Sequence, residues 1–276
     1  MKTHLSIGLI GAGFIGFTLA RAIDDGMVPN STVRAIFDID FERAKQVSES
    51  LRTKPKYMRS FQEEILMDDK VNLIVEASAQ KAVELYVPSA LKAGKDVMIM
   101  SIGALANEAL RKEIFDIARS NNSNVYFPSG AIAGLDCVKA AKIGGLHRVV
   151  LTTRKPPRAL IGAPGAEGID LENLSSPKII FSGTAADAVK LYPANVNVAA
   201  ALSLAGLGFE KTEVNIIADP DAKRNIHEVV AEGNFGRLTT LVENEPSREN
   251  PKTSQLASLS AIRKLIEIGE TIHLGT

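Results

Sequence analysis

The sequence predicts an α/β chain of two domains: a doubly wound parallel sheet, then a second α+β domain whose sheet is mostly antiparallel. Three observations carry this. Over residues 5–127 short apolar runs alternate with helical stretches, the pattern of strands buried on both faces by crossover helices. Beyond Gly130, runs that mix polar and apolar residues follow one another almost directly, as strands with one covered face do. A length of 276 residues also sits where single cores stop growing and chains divide.

In the first half the strands read as Leu5–Ile10, Val33–Phe37, Val71–Val75, Asp96–Met100 and Val125–Phe127. Helices over 14–26, 41–51, 80–93 and 107–121 connect them, the third ending at Gly94. In the second half strands are expected at 147–153, 178–181, 212–217, 227–231 and 237–242, with helices over 133–143, 185–191 and 197–207. A closing helix over 254–269 sets Leu256, Leu259, Ile262 and Leu265 or Ile266 on one stripe and is expected to return to the first domain. The expected division is therefore 1–130, completed by 253–276, and 131–252 for substrate binding and dimerisation. Glu243–Lys252, polar with two prolines, reads as the linker.

Composition narrows the partners. With 32 Lys and Arg against 32 Asp and Glu there is no net charge to draw the chain to nucleic acid or an acidic membrane, so a small molecule is the expected partner. The single cysteine, Cys137, permits no intrachain disulfide and no cysteine cluster for a metal, which suits the cytoplasm. Residues 1–21 resemble a secretory leader superficially. Their apolar stretch is too short for a bilayer, and glycines at 8, 11, 13 and 16 fit a strand, turn and helix better.

Those glycines are the first chemical motif. Gly11-Ala-Gly13-Phe14-Ile15-Gly16 follows an apolar strand and opens a helix. The first glycine permits the tight turn, the second admits a pyrophosphate against the backbone, and the third lets helix and strand pack closely. The helix N-terminus then faces the phosphates. Asp38 ends the second strand 22 residues after Gly16, where a carboxylate accepts from the ribose hydroxyls. Together these predict a Rossmann-type domain and a nicotinamide dinucleotide. Asp38 would repel a 2′-phosphate, which favours NAD; Arg43 is the nearby cation that could meet one, so NADP stays possible.

A second cluster, Asp219-Pro-Asp-Ala-Lys-Arg-Asn-Ile-His227-Glu, delivers a histidine to a strand start, the side chain suited to moving protons near neutral pH. Spacing leaves two readings of His227 open, proton transfer or a hydrogen-bonded structural role. In Tyr192-Pro-Ala-Asn195-Val-Asn197, one asparagine can cap the following helix and the other is left for a ligand.

These motifs, with Gly94–Leu105, Pro128–Asp136, Lys155-Pro-Pro157, Asn195–Ala200 and Asn225–Glu228, closely resemble L-aspartate dehydrogenases of the NAD-biosynthetic type over nearly the whole chain. The resemblance implies that His227 is the active-site residue, that Ala131 and Asn197 touch the nicotinamide end, and that the protein is a homodimer. It further implies oxidation of L-aspartate to iminoaspartate, which hydrolyses to oxaloacetate and ammonia. A dicarboxylate needs local cations; Lys155 is taken with Asn197 and His227 as substrate-binding, and Arg154, Arg158, Lys139 and Lys142 are further candidates. The alternatives are another two-domain dehydrogenase or reductase, like dihydrodipicolinate reductase or homoserine dehydrogenase, and a non-enzymatic NAD-binding sensor.

Overall fold

The computed structural model describes residues 4–193, 196–245, 254–272 and 274–275. The chain forms two compact units, one drawn from residues 1–128 and 258–273, the other from 129–257 and 274–276.

In the first unit the elements run β1 (Leu5–Ile10), α1 (Phe14–Asp24), β2 (Ser31–Phe37), α2 (Phe41–Ser50), β3 (Lys56–Met58), β4 (Leu73–Glu76), α3 (Gln80–Lys92), β5 (Asp96–Ile99), α4 (Glu108–Ser120) and β6 (Val125–Tyr126). All six strands pair in parallel in the order β3-β2-β1-β4-β5-β6, the Rossmann order. The order reverses between β1 and β4, so a crevice opens beyond their carboxyl ends, and the glycine turn lies there. Asp40 and Asn107 start α2 and α4 by accepting the Arg43 and Leu110 N–H groups.

Three elements of this unit were not anticipated, one of them a 3₁₀ turn at Ile102–Ala106. Strand β3 is three residues of Lys-Tyr-Met on the sheet edge, too short and too exposed to leave an apolar run. A single π turn at Phe61–Ile65 follows it, anchored by buried Phe61 and Ile65.

The second unit runs α5 (Leu135–Ile143), β7 (Leu146–Lys155), β8 (Lys178–Thr184), α6 (Ala185–Leu191), α7 (Asn197–Ala205), β9 (Thr212–Ala218), β10 (Asn225–Gly233) and β11 (Gly236–Asn244). Its five-stranded sheet has the order β11-β10-β7-β9-β8. Three of the four pairings are antiparallel, and β7 with β9 is parallel. Strand alternation sorts the two faces. Val149, Leu151, Thr153 and Lys155 of β7, Asn225, His227, Val229 and Ala231 of β10, and Thr212, Val214, Ile216 and Ala218 of β9 are buried. The opposite face carries Arg148, Arg154, Glu213 and Glu228 among half-exposed apolar residues.

The expected linker starts later than its composition suggests, because Glu243 and Asn244 complete β11 opposite Ile226 and Asn225; residues 246–252 of that stretch lie outside the described residues. The last helix, α8 (Gln255–Gly269), buries Ser258, Ala261, Ile262 and Leu265. The stripe expected from Leu256 and Leu259 is rotated, and both of those leucines are exposed. Small residues at 258 and 261 admit closer packing than two more leucines would. Ala261, Ile262 and Leu265 join the first core with Ile7, Leu9, Leu19 and Val75, so α8 belongs to that core although most of the chain separates them. Leu265→Ala should accordingly cost about 2–5 kcal/mol of stability by removing a fully buried side chain, read as a lowered midpoint in urea unfolding.

Candidate active site

Each glycine of the first motif meets a distinct steric demand. Gly11 has φ +96°, and a Cβ there would lie 2.6 Å from the Ala77 carbonyl oxygen. A Cβ on Gly16 would fall 1.9 Å from the Gly11 carbonyl oxygen, so helix and turn can meet only at a glycine. Around Gly13 there is nothing within 4 Å of the Cβ position, an open cradle for a phosphate group. Gly13 caps α1 without any side-chain hydrogen bond, and the first turn holds no acidic residue. The N–H groups of Phe14 and Ile15 therefore begin a helix whose positive end is free for an anion.

Asp38 is buried immediately after β2. One carboxylate oxygen accepts the Ala12 N–H at 2.8 Å and the other accepts the Asp40 N–H at 2.9 Å. These bonds aim the carboxylate at the turn, and each oxygen keeps a lone pair for a ribose hydroxyl. Arg43 reaches Asp38 at 3.8 Å and Asp40 at 3.1 Å, and Ile39 beside them is 86% exposed. This unit thus presents the turn, the free helix terminus and the acid that an NAD requires.

In the second unit the chemistry collects at the end of the covered sheet face. Thr153 and His227 are direct partners across β7 and β10, with Thr153 Oγ1 2.9 Å from His227 Nδ1. Lys155 lies two residues further along β7 on the same face. Asn225 lies two residues before His227 on β10, opposite Asn244 of β11. The Asn244 amide donates to the Ala131 carbonyl at 3.0 Å and so ties that loop to the sheet. The amide oxygens of Asn225 and Asn244 are buried and have no partner among the described residues.

Burial dominates the electrostatics here. It draws the Lys155 ammonium down to about 8 from 10.5. Burial, reinforced by the charge of Lys155, draws the His227 imidazole down to about 3. His227 is therefore a neutral ring at working pH, a different condition from the near-neutral titration that its residue type suggests.

The comparisons with known proteins bear on both units. Residues 11–128 match the family model described as homoserine dehydrogenase, NAD binding domain, and residues 136–268 match aspartate dehydrogenase, C-terminal. The L-aspartate dehydrogenase of Methanosarcina barkeri is 50% identical over 275 residues, which is 99% of this chain and all of the relative. The chain belongs to the L-aspartate dehydrogenase family. Another L-aspartate dehydrogenase, from Methanocaldococcus jannaschii, is 40% identical over 99% of this chain and 100% of its own. The crystal structure of aspartate dehydrogenase from Thermotoga maritima superposes with a TM-score of 0.77 at 29% identity, covering 99% of this chain and all of that one.

Against that family background, the cations expected from sequence separate. Only Lys155 joins His227. Arg154 points to the opposite face and pairs with Asp219 at 2.7 Å, while Arg158, Lys139 and Lys142 are exposed. Alternation along β7 forces the split, because neighbouring residues face opposite ways. Asn197 is the half-buried first residue of α7, whose cap position is Val196 with no side-chain bond, and Asn195 lies outside the described residues. Sequence reasoning missed Thr153 and Asn244, which are visible only once β7, β10 and β11 are in register. It also assigned nothing to Glu76, a fully buried acid whose carboxylate accepts the Ser78 N–H, the Ser101 N–H and the Ser101 hydroxyl. Its burial raises its pKa. An acid closing an apolar strand was the available signal.

The depressed His227 carries a linkage prediction. Between pH 6.5 and about 3 the unfolded chain holds a proton on this ring that the native chain lacks, so stability falls as pH is lowered through that window. His227→Asn should flatten the slope of unfolding free energy against pH there by up to about 1.4 kcal/mol per pH unit. Urea unfolding at a series of pH values measures it.

Proposed function

We propose that the protein oxidises L-aspartate to iminoaspartate with NAD, that the imine hydrolyses to oxaloacetate and ammonia, and that this chemistry feeds NAD biosynthesis in the cytoplasm. The observation that carries the proposal is the juxtaposition of Lys155 and His227 on one buried sheet face in a chain of this family. When bound, NAD supplies the two-electron acceptor. Once protonated, Lys155 supplies the local positive charge that a dicarboxylate requires and that a chain of zero net charge lacks globally. His227, fixed by Thr153, orients the reacting centre as a neutral hydrogen-bonding ring. Asn197 and Ala131 serve the nicotinamide end. No described helix is long and apolar enough to cross a membrane.

This reading separates the enzyme from its rivals by substrate. Purified protein incubated with a panel of amino acids and hydroxy acids, with NAD or NADP, should reduce the nicotinamide with L-aspartate above all others. Activity with homoserine alone, or NAD binding without turnover of any substrate, would transfer the assignment to one of the alternatives.

Cofactor choice belongs to Asp38 and Arg43. Asp38 holds its charge where a 2′-phosphate would sit, and Arg43 is the cation that can leave Asp40 to meet one. Asp38→Ala should weaken NAD binding about tenfold and move the NAD/NADP preference toward NADP, checked by fluorescence titration with each reduced cofactor. An unchanged ratio would remove Asp38 from the ribose.

The open face of the second sheet suits a homodimer. Leu241, 60% exposed, lies there beside the half-buried Ile226 and Val230, and Ile179 is 62% exposed at the opposite edge of the same face. Sedimentation equilibrium at micromolar concentration should give twice the chain mass of 29.5 kDa. Leu241→Glu should return it to one.

A further inference from the structure

The arrangement of the second unit bears on which group handles the substrate proton. L-Aspartate arrives with an α-ammonium, and an ammonium nitrogen has no lone pair. The Cα–H bond can give up its electron pair only when the nitrogen has a lone pair with which to form C=N. One N–H bond must therefore break first, and its proton needs an acceptor at the site.

We propose that Lys155 is that acceptor, with His227 the neutral ring that holds the substrate beside it. The inference rests on the L-aspartate reading. Lys155 and His227 share one buried face, two residues apart in sheet register, with Thr153 between them in β7 and bonded to the ring. Two basic groups so placed do not both carry charge in a site that excludes water. A proton on His227 would set a second cation beside Lys155. A proton taken by a neutral Lys155 creates the only cation of the cluster, and that cation then faces a dicarboxylate. Burial brings Lys155 into the range where a neutral amine is populated at mildly alkaline pH.

Among the described residues, the elements packed against this face turn their acids and bases away from it. From β9, Lys155 faces Ala218; Asp219, next in the chain, bonds Arg154 on the other side of the sheet. Helix α7 carries no charged residue. On α5, Asp136, Lys139 and Lys142 are exposed. From β11 the face presents Asn244 and Val242, while Glu243, with Glu245, pairs Arg224. The step balances: one N–H bond breaks and its proton moves to Lys155 Nζ. The Cα–H electron pair then leaves with its hydrogen to the oxidised dinucleotide, the nitrogen lone pair forms C=N, and Lys155 later returns its proton to solvent.

The test combines kinetics with a titration that needs no turnover. In wild-type enzyme, kcat/KM for L-aspartate should rise with pH along an acid limb of apparent pKa about 8. Lys155→Arg keeps the charge but cannot give up its proton, so kcat should fall about 10²–10⁴-fold, as for Lys155→Met. Lys155→Ala should regain part of its turnover with added methylamine. His227→Asn should be slowed yet keep the acid limb. Burial also lowers Lys95, so the ¹³C NMR spectrum is taken on Lys95→Arg apoprotein labelled at lysine Cε, where one resonance should titrate near 8. The proposal is overturned if Lys155→Arg keeps more than a tenth of wild-type kcat, if the acid limb vanishes in His227→Asn, or if no lysine titrates below 9. The NMR result stands even if a variant at Lys155 or His227 fails to fold. Absence of wild-type aspartate oxidation would instead sink the functional reading.

Discussion

Alternation along β7 from Arg148 to Lys155, broken only where Val150 is also buried, is the constraint from which the second unit follows. One face of its sheet is covered, so each odd-numbered residue from Val149 to Lys155 is forced inward while Arg148 and Arg154 are forced out. A shift of one residue would exchange Lys155 for Arg154 and open the core to two charges. The register is held on both sides, by β10 through Thr153 and His227 and by β9 through Lys155 and Ala218. Apolar packing lower on the same strands therefore fixes where the polar cluster can be.

That placement has an energetic cost. Burying an ammonium and an imidazole disfavours their charged forms, and nearby orphaned amide oxygens on Asn225 and Asn244 add to the burden. The chain tolerates them because Val149, Leu151, Val214, Ile216, Val229 and Ala231 fill the rest of that face. The first unit has a corresponding arrangement. Its glycine turn is so tight that the Gly11 carbonyl occupies the space of a Cβ on Gly16, and Asp38 is pinned by two backbone N–H groups before any ligand arrives. Both candidate sites are shaped in advance by contacts within the chain.

Much of this was legible in the residues. Apolar strands of the first half and the glycine motif mark the parallel sheet because buried strands and close backbone approaches leave strong local signals. The five strands of the second half are legible through alternation. Lys-Tyr-Met in β3 is silent because a short edge strand makes few contacts that need apolar residues. The parallel pairing of β7 with β9 is silent because it joins residues about sixty positions apart and no local pattern records it. The α8 stripe misled because leucines look more buried than serine and alanine, whereas close helix packing selects the small residues. His227 stands out in the sequence as a candidate, but its charge state depends on burial and on Lys155, which is distant in sequence. Alternation had already separated Lys155 from Arg154 in principle, yet only the paired strands reveal which of the two faces is covered.

The position of α8 in the first core has a consequence for how the molecule is made. Synthesis delivers β1 to β6 and their helices before the second unit, but Ala261, Ile262 and Leu265, which pack with Ile7, Leu9 and Val75, emerge only after it. Until then the apolar patch they will cover faces solvent, while the intervening residues fold as a unit of their own. The dinucleotide half is thus begun before the second unit and finished after it. On the ribosome it is the half exposed longest to chaperones and proteases, and a chain stalled before its final turns carries an assembled glycine motif on an open core.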